Sequence, residues 1–176
     1  VFTIVNRTDV LDFNKTTGQL SFRFTINQIV NPYGVEFSPN SSLLYISSFS
    51  TPIIRQYNLA LTTPAEILSS AYSITNYDGT VPTSLQLAPD ERIYTASGNY
   101  AGAINSPNQI GFACNFNPNA VAFTEGFATL GLPNFFSYFL IPSGIEHVGS
   151  CPNDSVFFSF LNGLQADSVR WNFDDP

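Results

Sequence analysis

Glu36 and Gln86 stand at matching positions of two similar phrases, Gly34-Val35-Glu36-Phe37-Ser38-Pro39-Asn40 and Ser84-Leu85-Gln86-Leu87-Ala88-Pro89-Asp90. If the strands that carry them line a channel, they present a carboxylate and an amide to it. A carboxylate so placed suits a divalent ion or a hydrolytic site, and equally a hydrogen-bonded or solvated residue with no chemistry of its own. His147, the only histidine, follows Glu146, so a triad or a metal site would need partners from distant strands. Cys114 and Cys151, the only cysteines, lack the C-x-x-C spacing of a zinc site; the readings are a disulfide between them if the chain is exported, two independent thiols, or partners outside this stretch of chain. Asp154, Asp167, Asp174 and Asp175 lack the spacing of a calcium loop. Asn40 and Asp90 suit the turns in which they lie. No catalytic residue, metal site or cofactor is expected.

Two further features bear on surfaces rather than chemistry. The triplets at Asn6, Asn14, Asn40 and Asn153 fit N-x-S/T, a pattern that arises readily in a chain rich in Asn, Ser and Thr. The run Phe135-Phe136-Ser137-Tyr138-Phe139 has two readings, an exposed platform for sugars or a partner protein, and a wedge that fills core under the last sheet. In the first, Phe135, Phe136, Tyr138 and Phe139 form a contiguous apolar surface that marks an interface.

The elements that must position these residues follow from the repeat. Each phrase reads as a strand, a tight Pro-centred turn and a second strand, Leu44-Tyr45-Ile46-Ser47-Ser48 in one copy and Ile93-Tyr94-Thr95-Ala96-Ser97 in the other. Short strands repeating at this period predict stacked four-stranded sheets, because one such sheet cannot bury both faces alone. Residues 1 to 30 read as trailing strands of one sheet, with Leu20 to Ile26 alternating cleanly. A second sheet takes Tyr33 to Phe37, Leu43 to Ser48, Ile53 to Leu59 and an outer strand over Ile67 to Ile74. A third takes Thr83 to Leu87, Arg92 to Ala96, Ala101 to Asn105 and Ile110 to Asn115, followed by a closing segment. Helix signal is nearly absent, since no window of 12 residues keeps a 3.6-residue apolar period without Gly or Pro.

The expected fold is all-β: a partial β-propeller of about three blades over residues 1–140, a linker at 141–150, and the start of an immunoglobulin-like sandwich over 151–176. With 44% hydrophobic and 11% charged residues the chain can bury a substantial core. Its 13 acidic residues outnumber 6 scattered Lys and Arg, which argues against a nucleic-acid partner. No apolar stretch approaches the roughly 20 residues that span a bilayer. With no initiator Met or signal peptide, the chain is read as a piece of a longer protein.

The phrases Tyr-Gly-Val-Glu-Phe-Ser-Pro-Asn (33 to 40), Arg-Gln-Tyr-Asn-Leu (55 to 59), Leu-Gln-Leu-Ala-Pro-Asp-Glu-Arg-Ile-Tyr (85 to 94) and Gly-Leu-Pro-Asn-Phe (131 to 135) resemble the β-propeller region of large exported Bacteroidetes proteins. The tail Cys-Pro-Asn-Asp-Ser-Val-Phe-Phe (151 to 158) with Trp-Asn-Phe-Asp-Asp-Pro (171 to 176) resembles the start of a PKD domain, Asp174 replacing the Gly of the usual Trp-x-Phe-Gly-Asp. The resemblance implies an extracellular or cell-surface place, export by the type IX secretion machinery through a gliding-motility-associated sorting domain, and a non-catalytic role. Asp154-Ser155-Val156 and Asp167-Ser168-Val169 look like the O-glycosylation acceptors of that group.

Three functions are compatible with these readings. The leading one is a non-enzymatic adhesion or interaction protein whose loops meet a protein or glycan. The others are a polymerising extracellular subunit completed by β-augmentation and a propeller hydrolase of the lactonase or phytase kind with a channel metal.

Overall fold

The computed structural model of the chain describes residues 2–4, 6–75, 79, 81–132, 145–148 and 157–160. The chain divides into two compact units, Val1–Phe135 and Phe136–Pro176. The first is a succession of antiparallel sheets, none closed on itself. Strands β1 (Phe2–Ile4), β2 (Arg7–Phe13) and β3 (Leu20–Ile26) form a three-stranded sheet. Next, β4 (Pro32–Phe37), β5 (Leu43–Ser48), β6 (Ile53–Asn58) and β7 (Tyr72–Thr75) form a four-stranded meander in chain order. The third sheet repeats this with β8 (Leu85–Leu87), β9 (Ile93–Ser97), β10 (Tyr100–Ile104) and β11 (Phe116–Ala122).

The core explains why sheets of this size persist. Every residue of β5 is buried, which a strand achieves only when both sides of its sheet are covered. Leu44 and Ile46 of β5 cluster with Val10, Phe24 and Ile26 of the first sheet, while Leu43 and Tyr45 cluster with Leu85, Ile93 and Ile104 of the third. The middle sheet is thus packed between its neighbours. Each fully buried Leu or Ile stabilises the stack by roughly 1.5–3 kcal/mol.

The repeated phrase folds the same way twice. In Ser38-Pro39-Asn40-Ser41 the N–H of Ser41 donates to the Ser38 carbonyl at 2.7 Å, and in Ala88-Pro89-Asp90-Glu91 the N–H of Glu91 donates to the Ala88 carbonyl at 3.0 Å. Ser41 and Glu91 then take the left-handed conformation, φ 59° and 62°, that lets a type I turn rejoin a twisted hairpin. Asn40 and Asp90 hold these turns: Asn40 Oδ1 accepts from the Ser42 N–H at 3.0 Å, and Asp90 Oδ1 from the Arg92 N–H at 3.2 Å.

Two element assignments are corrected. The span Ile67 to Ile74, expected as one outer strand, is the end of a helix α1 (Pro64–Ser69) followed by β7. Thr63 starts α1 through a capping box: its hydroxyl accepts from the Glu66 N–H at 3.3 Å, and the Glu66 carboxylate accepts from the Thr63 N–H at 3.0 Å. Pro64 sits in the first turn and Ile67 is buried. The span Ile110 to Asn115, expected as the fourth strand of the third sheet, is instead a single 3-10 turn at Gly111–Cys114, ended by Asn115 at φ 55°. Phe116–Ala122 is the edge strand.

In the second unit, β12 (Ile145–Val148) pairs antiparallel with β13 (Phe157–Phe160). A strand therefore lies within the span read as a linker. The register sets Ile145 opposite Phe160 and Val148 opposite Phe157.

Candidate interaction surface

The first strands of the second and third sheets meet closely, and Gly34 is where they touch. A Cβ on Gly34 would lie 2.5 Å from the Thr83 carbonyl oxygen and 2.7 Å from the Leu85 nitrogen, so only glycine fits. The Gly34 N–H donates to Ser47 Oγ at 2.8 Å, and the Ser47 hydroxyl donates to the Thr83 carbonyl. One turn of pleat further on, Glu36 crosses between the sheets. Its Oε2 accepts from the Leu87 N–H at 2.8 Å, and its Oε1 from the Phe37 N–H at 2.9 Å. The Thr83 hydroxyl lies 2.8 Å from the Thr129 carbonyl, which it can donate to, and Gly98 and Ala128 form a bridge that holds the following segment nearby.

These contacts wall a depression of about 520 Å³ lined by Tyr33, Glu36, Ser84, Gln86, Leu130 and Leu132 among others. Tyr33, 43% exposed, belongs to this lining, and Phe49, 49% exposed, packs beside Tyr33 with ring centroids 5.6 Å apart and planes tilted by 43°. Such tilted pairing fixes ring orientation. The Gln86 amide makes no hydrogen bond among the described residues. The Ser84 hydroxyl oxygen is buried and has no partner among them.

A second concave surface runs along the outer strands. A groove of about 300 Å³ is lined by all four residues of β7 and by Phe112, Cys114 and Phe116 on the opposite side. Side chains alternate across a strand, so four consecutive lining residues place the groove along the strand's edge rather than on one face. Phe112 is 90% exposed at its lip.

Behind this groove lies a buried polar network that joins the same two sheets. The Tyr45 hydroxyl donates to the Pro107 carbonyl at 2.8 Å and accepts from Gln56 Nε2 at 2.7 Å. Gln56 Nε2 also donates to the Gln109 carbonyl at 2.8 Å, and its Oε1 accepts from the Gly111 N–H at 2.8 Å. Burial raises the Tyr45 hydroxyl well above the usual tyrosine range, opposed in part by the bond from Gln56. Cys114, 1% exposed, is bonded to no other cysteine among the described residues, and burial pushes its thiol up to about 11.

The structure thus brings Glu36 and Gln86 to one depression, with Glu36 engaged as a tie between sheets. Cys151, Phe135, Phe136, Tyr138 and Phe139 lie outside the described residues, as do Asp154, Asp167, Asp174 and Asp175. His147 and Glu146 belong to β12. Of the N-x-S/T asparagines, Asn6 Oδ1 accepts from the Asn31 N–H at 3.0 Å, a tie to the residue before β4, and Asn14 Oδ1 accepts from the Thr16 N–H at 2.9 Å, which holds its own turn. Among the described residues no three His, Cys, Asp or Glu side chains gather as a metal-binding group, and no helix is long and apolar enough to cross a membrane.

Gly34, Ser47, Tyr45 and Gln56 were not singled out from sequence. An isolated glycine within a strand pattern signals close backbone approach, so Gly34 carried a usable sign. Tyr45 and Gln56 carried none, because their partners lie on a loop more than 50 positions away. No family model, curated protein or solved structure matches the chain.

Proposed function

We propose that this chain is a non-catalytic binding module of an exported, cell-surface or secreted protein, with its stacked sheets as blades of a partial β-propeller and its tail as the opening of a PKD-like spacer. The type IX secretion route and an adhesive role belong to the same proposal. The observation that carries it is the depression between β4 and β8, whose lining includes the exposed Tyr33 ring and the Gln86 amide, which makes no hydrogen bond among the described residues. Aromatic rims with a few convergent polar groups are what binding sites present. Glu36, the carboxylate a channel metal would require, has both oxygens bonded to backbone N–H groups, which favours binding over metal-assisted hydrolysis.

Immobilised chain tested by interferometry against extracellular polysaccharide and surface protein from a gliding bacterium is the direct test. Binding lost in the Tyr33→Ala, Phe49→Ala double variant supports the reading. Equal binding by that variant, or turnover of a lactone or phosphoester with a divalent ion, contradicts it.

A second reading draws on the groove along β7. This edge strand pairs only with β6 in its sheet, and an apolar groove follows its free side, an arrangement suited to an added strand from another protomer. Concentration-dependent growth of assemblies that stops in a Tyr72→Lys variant would favour it.

A further inference from the structure

We infer that the depression between β4 and β8 is a carbohydrate subsite that takes a neutral pyranose at the end of a short glycan. This inference rests on reading the chain as a binding module and names the ligand class of that surface. Three features of the lining set the class. The first is charge. The described residues that line the depression include no Lys or Arg, so an anionic group finds no cation among them. Its one carboxylate, Glu36, already accepts two backbone N–H bonds, which leaves little capacity for a cation. A neutral ligand fits such a wall best.

The second feature is the rim. Tyr33 is held by Phe49 at 5.6 Å and keeps much of its ring exposed. A pyranose presents one face of C–H groups that packs on an aromatic ring, and hydroxyls around its edge. The aromatic ring supplies the apolar half of that match.

The third feature is the amide beside it. The Gln86 side chain, part of the lining, offers two donors and an acceptor in one plane, a spacing that meets adjacent sugar hydroxyls. The volume of about 520 Å³ lies within the usual span of small-molecule sites, about 300–1,000 Å³.

The test is ligand-observed saturation-transfer NMR on the full chain with the methyl pyranosides of glucose, galactose, mannose and N-acetylglucosamine, each at millimolar concentration. Transfer is expected to the ring C–H protons of at least one. Tyr33→Ala should abolish it and Tyr33→Phe retain it, since the ring and not its hydroxyl makes the platform. Gln86→Leu should weaken it by about tenfold or more, because unpaired sugar hydroxyls are then left against an apolar wall. No transfer from any of the four, or transfer unchanged in Tyr33→Ala and Gln86→Leu, overturns the inference. If the glycosides fail while immobilised chain still captures surface protein in a Tyr33-dependent way, the sugar class falls and the binding surface stands. If both fail, the binding reading falls with it.

Discussion

The carboxylate of Glu36, on the first strand of one sheet, accepts the N–H of Leu87, on the first strand of the next, at 2.8 Å. Gln86, the residue at the equivalent repeat position, makes no such bond among the described residues. One repeat position therefore carries a structural tie in one copy and an uncommitted amide in the other.

The difference predicts unequal responses to the same substitution. Glu36→Leu removes a charged acceptor shared by two N–H groups and should lower unfolding free energy by about 1–2 kcal/mol in urea titrations. Gln86→Leu should change it by no more than about 0.5 kcal/mol. Equal losses would show that the Glu36 bond does not bear on stability.

Two tyrosines make the same point inside the core. Tyr45 and Tyr57 are both wholly buried, but among the described residues only the Tyr45 hydroxyl has partners, while that of Tyr57 has none. Tyr45→Phe strands the Pro107 carbonyl and one N–H of Gln56, and should cost about 1–3 kcal/mol. Tyr57→Phe removes an unsatisfied buried hydroxyl, so stability should hold or rise by about 1 kcal/mol. Thermal unfolding of the two variants side by side reads the contrast.

Gly34→Ala tests the close approach of β4 to β8. Its new methyl would meet the backbone of Thr83 and Leu85, which cannot turn aside as a side chain can. A loss of about 2–4 kcal/mol, or failure to fold, is expected. Gly131→Ala, where nothing among the described residues lies within 4 Å of the added atom, serves as the control and should stay within about 0.5 kcal/mol of wild type.

Much of this fold was legible because short runs rich in apolar, β-branched and aromatic residues, bounded by turn residues, mark strands. Leu20–Ile26 and Leu43–Ser48 begin and end where their patterns do. The helix α1 escaped notice because six residues cannot establish a 3.6-residue period, although Thr63-Pro64-Ala65-Glu66 spells a capping box. The edge strand β11 was missed because Asn117, Pro118 and Asn119 disfavour a strand. An edge position tolerates Pro118, and the ladder shifts register nearby between Ala101 and Ala103. Glu36 and Gln86 were visible as a repeated position, but the tie to Leu87 depends on how two sheets stack, which a one-dimensional pattern does not carry.

Cys114 gives a pH signature. Burial holds its thiol protonated up to about 11, against an ordinary 9.0, so the folded chain binds this proton more tightly than the unfolded chain. Stability from this group is whole below pH 9 and is lost as pH rises from about 9 to about 11. Burial also pushes Tyr57 up to about 12 from 10.0, adding a loss with the same sign at higher pH. The urea midpoint should therefore fall through this window, and less steeply in Cys114→Ala. Native Cys114 should also resist an aromatic disulfide reagent until denaturant is added; rapid labelling of the folded chain would contradict its burial.

The depression has fixed walls only if neighbouring sheets are locked through their first strands, and amide hydrogen exchange at Leu87 tests this most directly. The Leu87 N–H should exchange slowly in the wild type and at least about tenfold faster in Glu36→Leu, with β5 amides unchanged. Exchange of Leu87 at the rate of an open loop in the wild type, or no change on removing Glu36, would contradict the account.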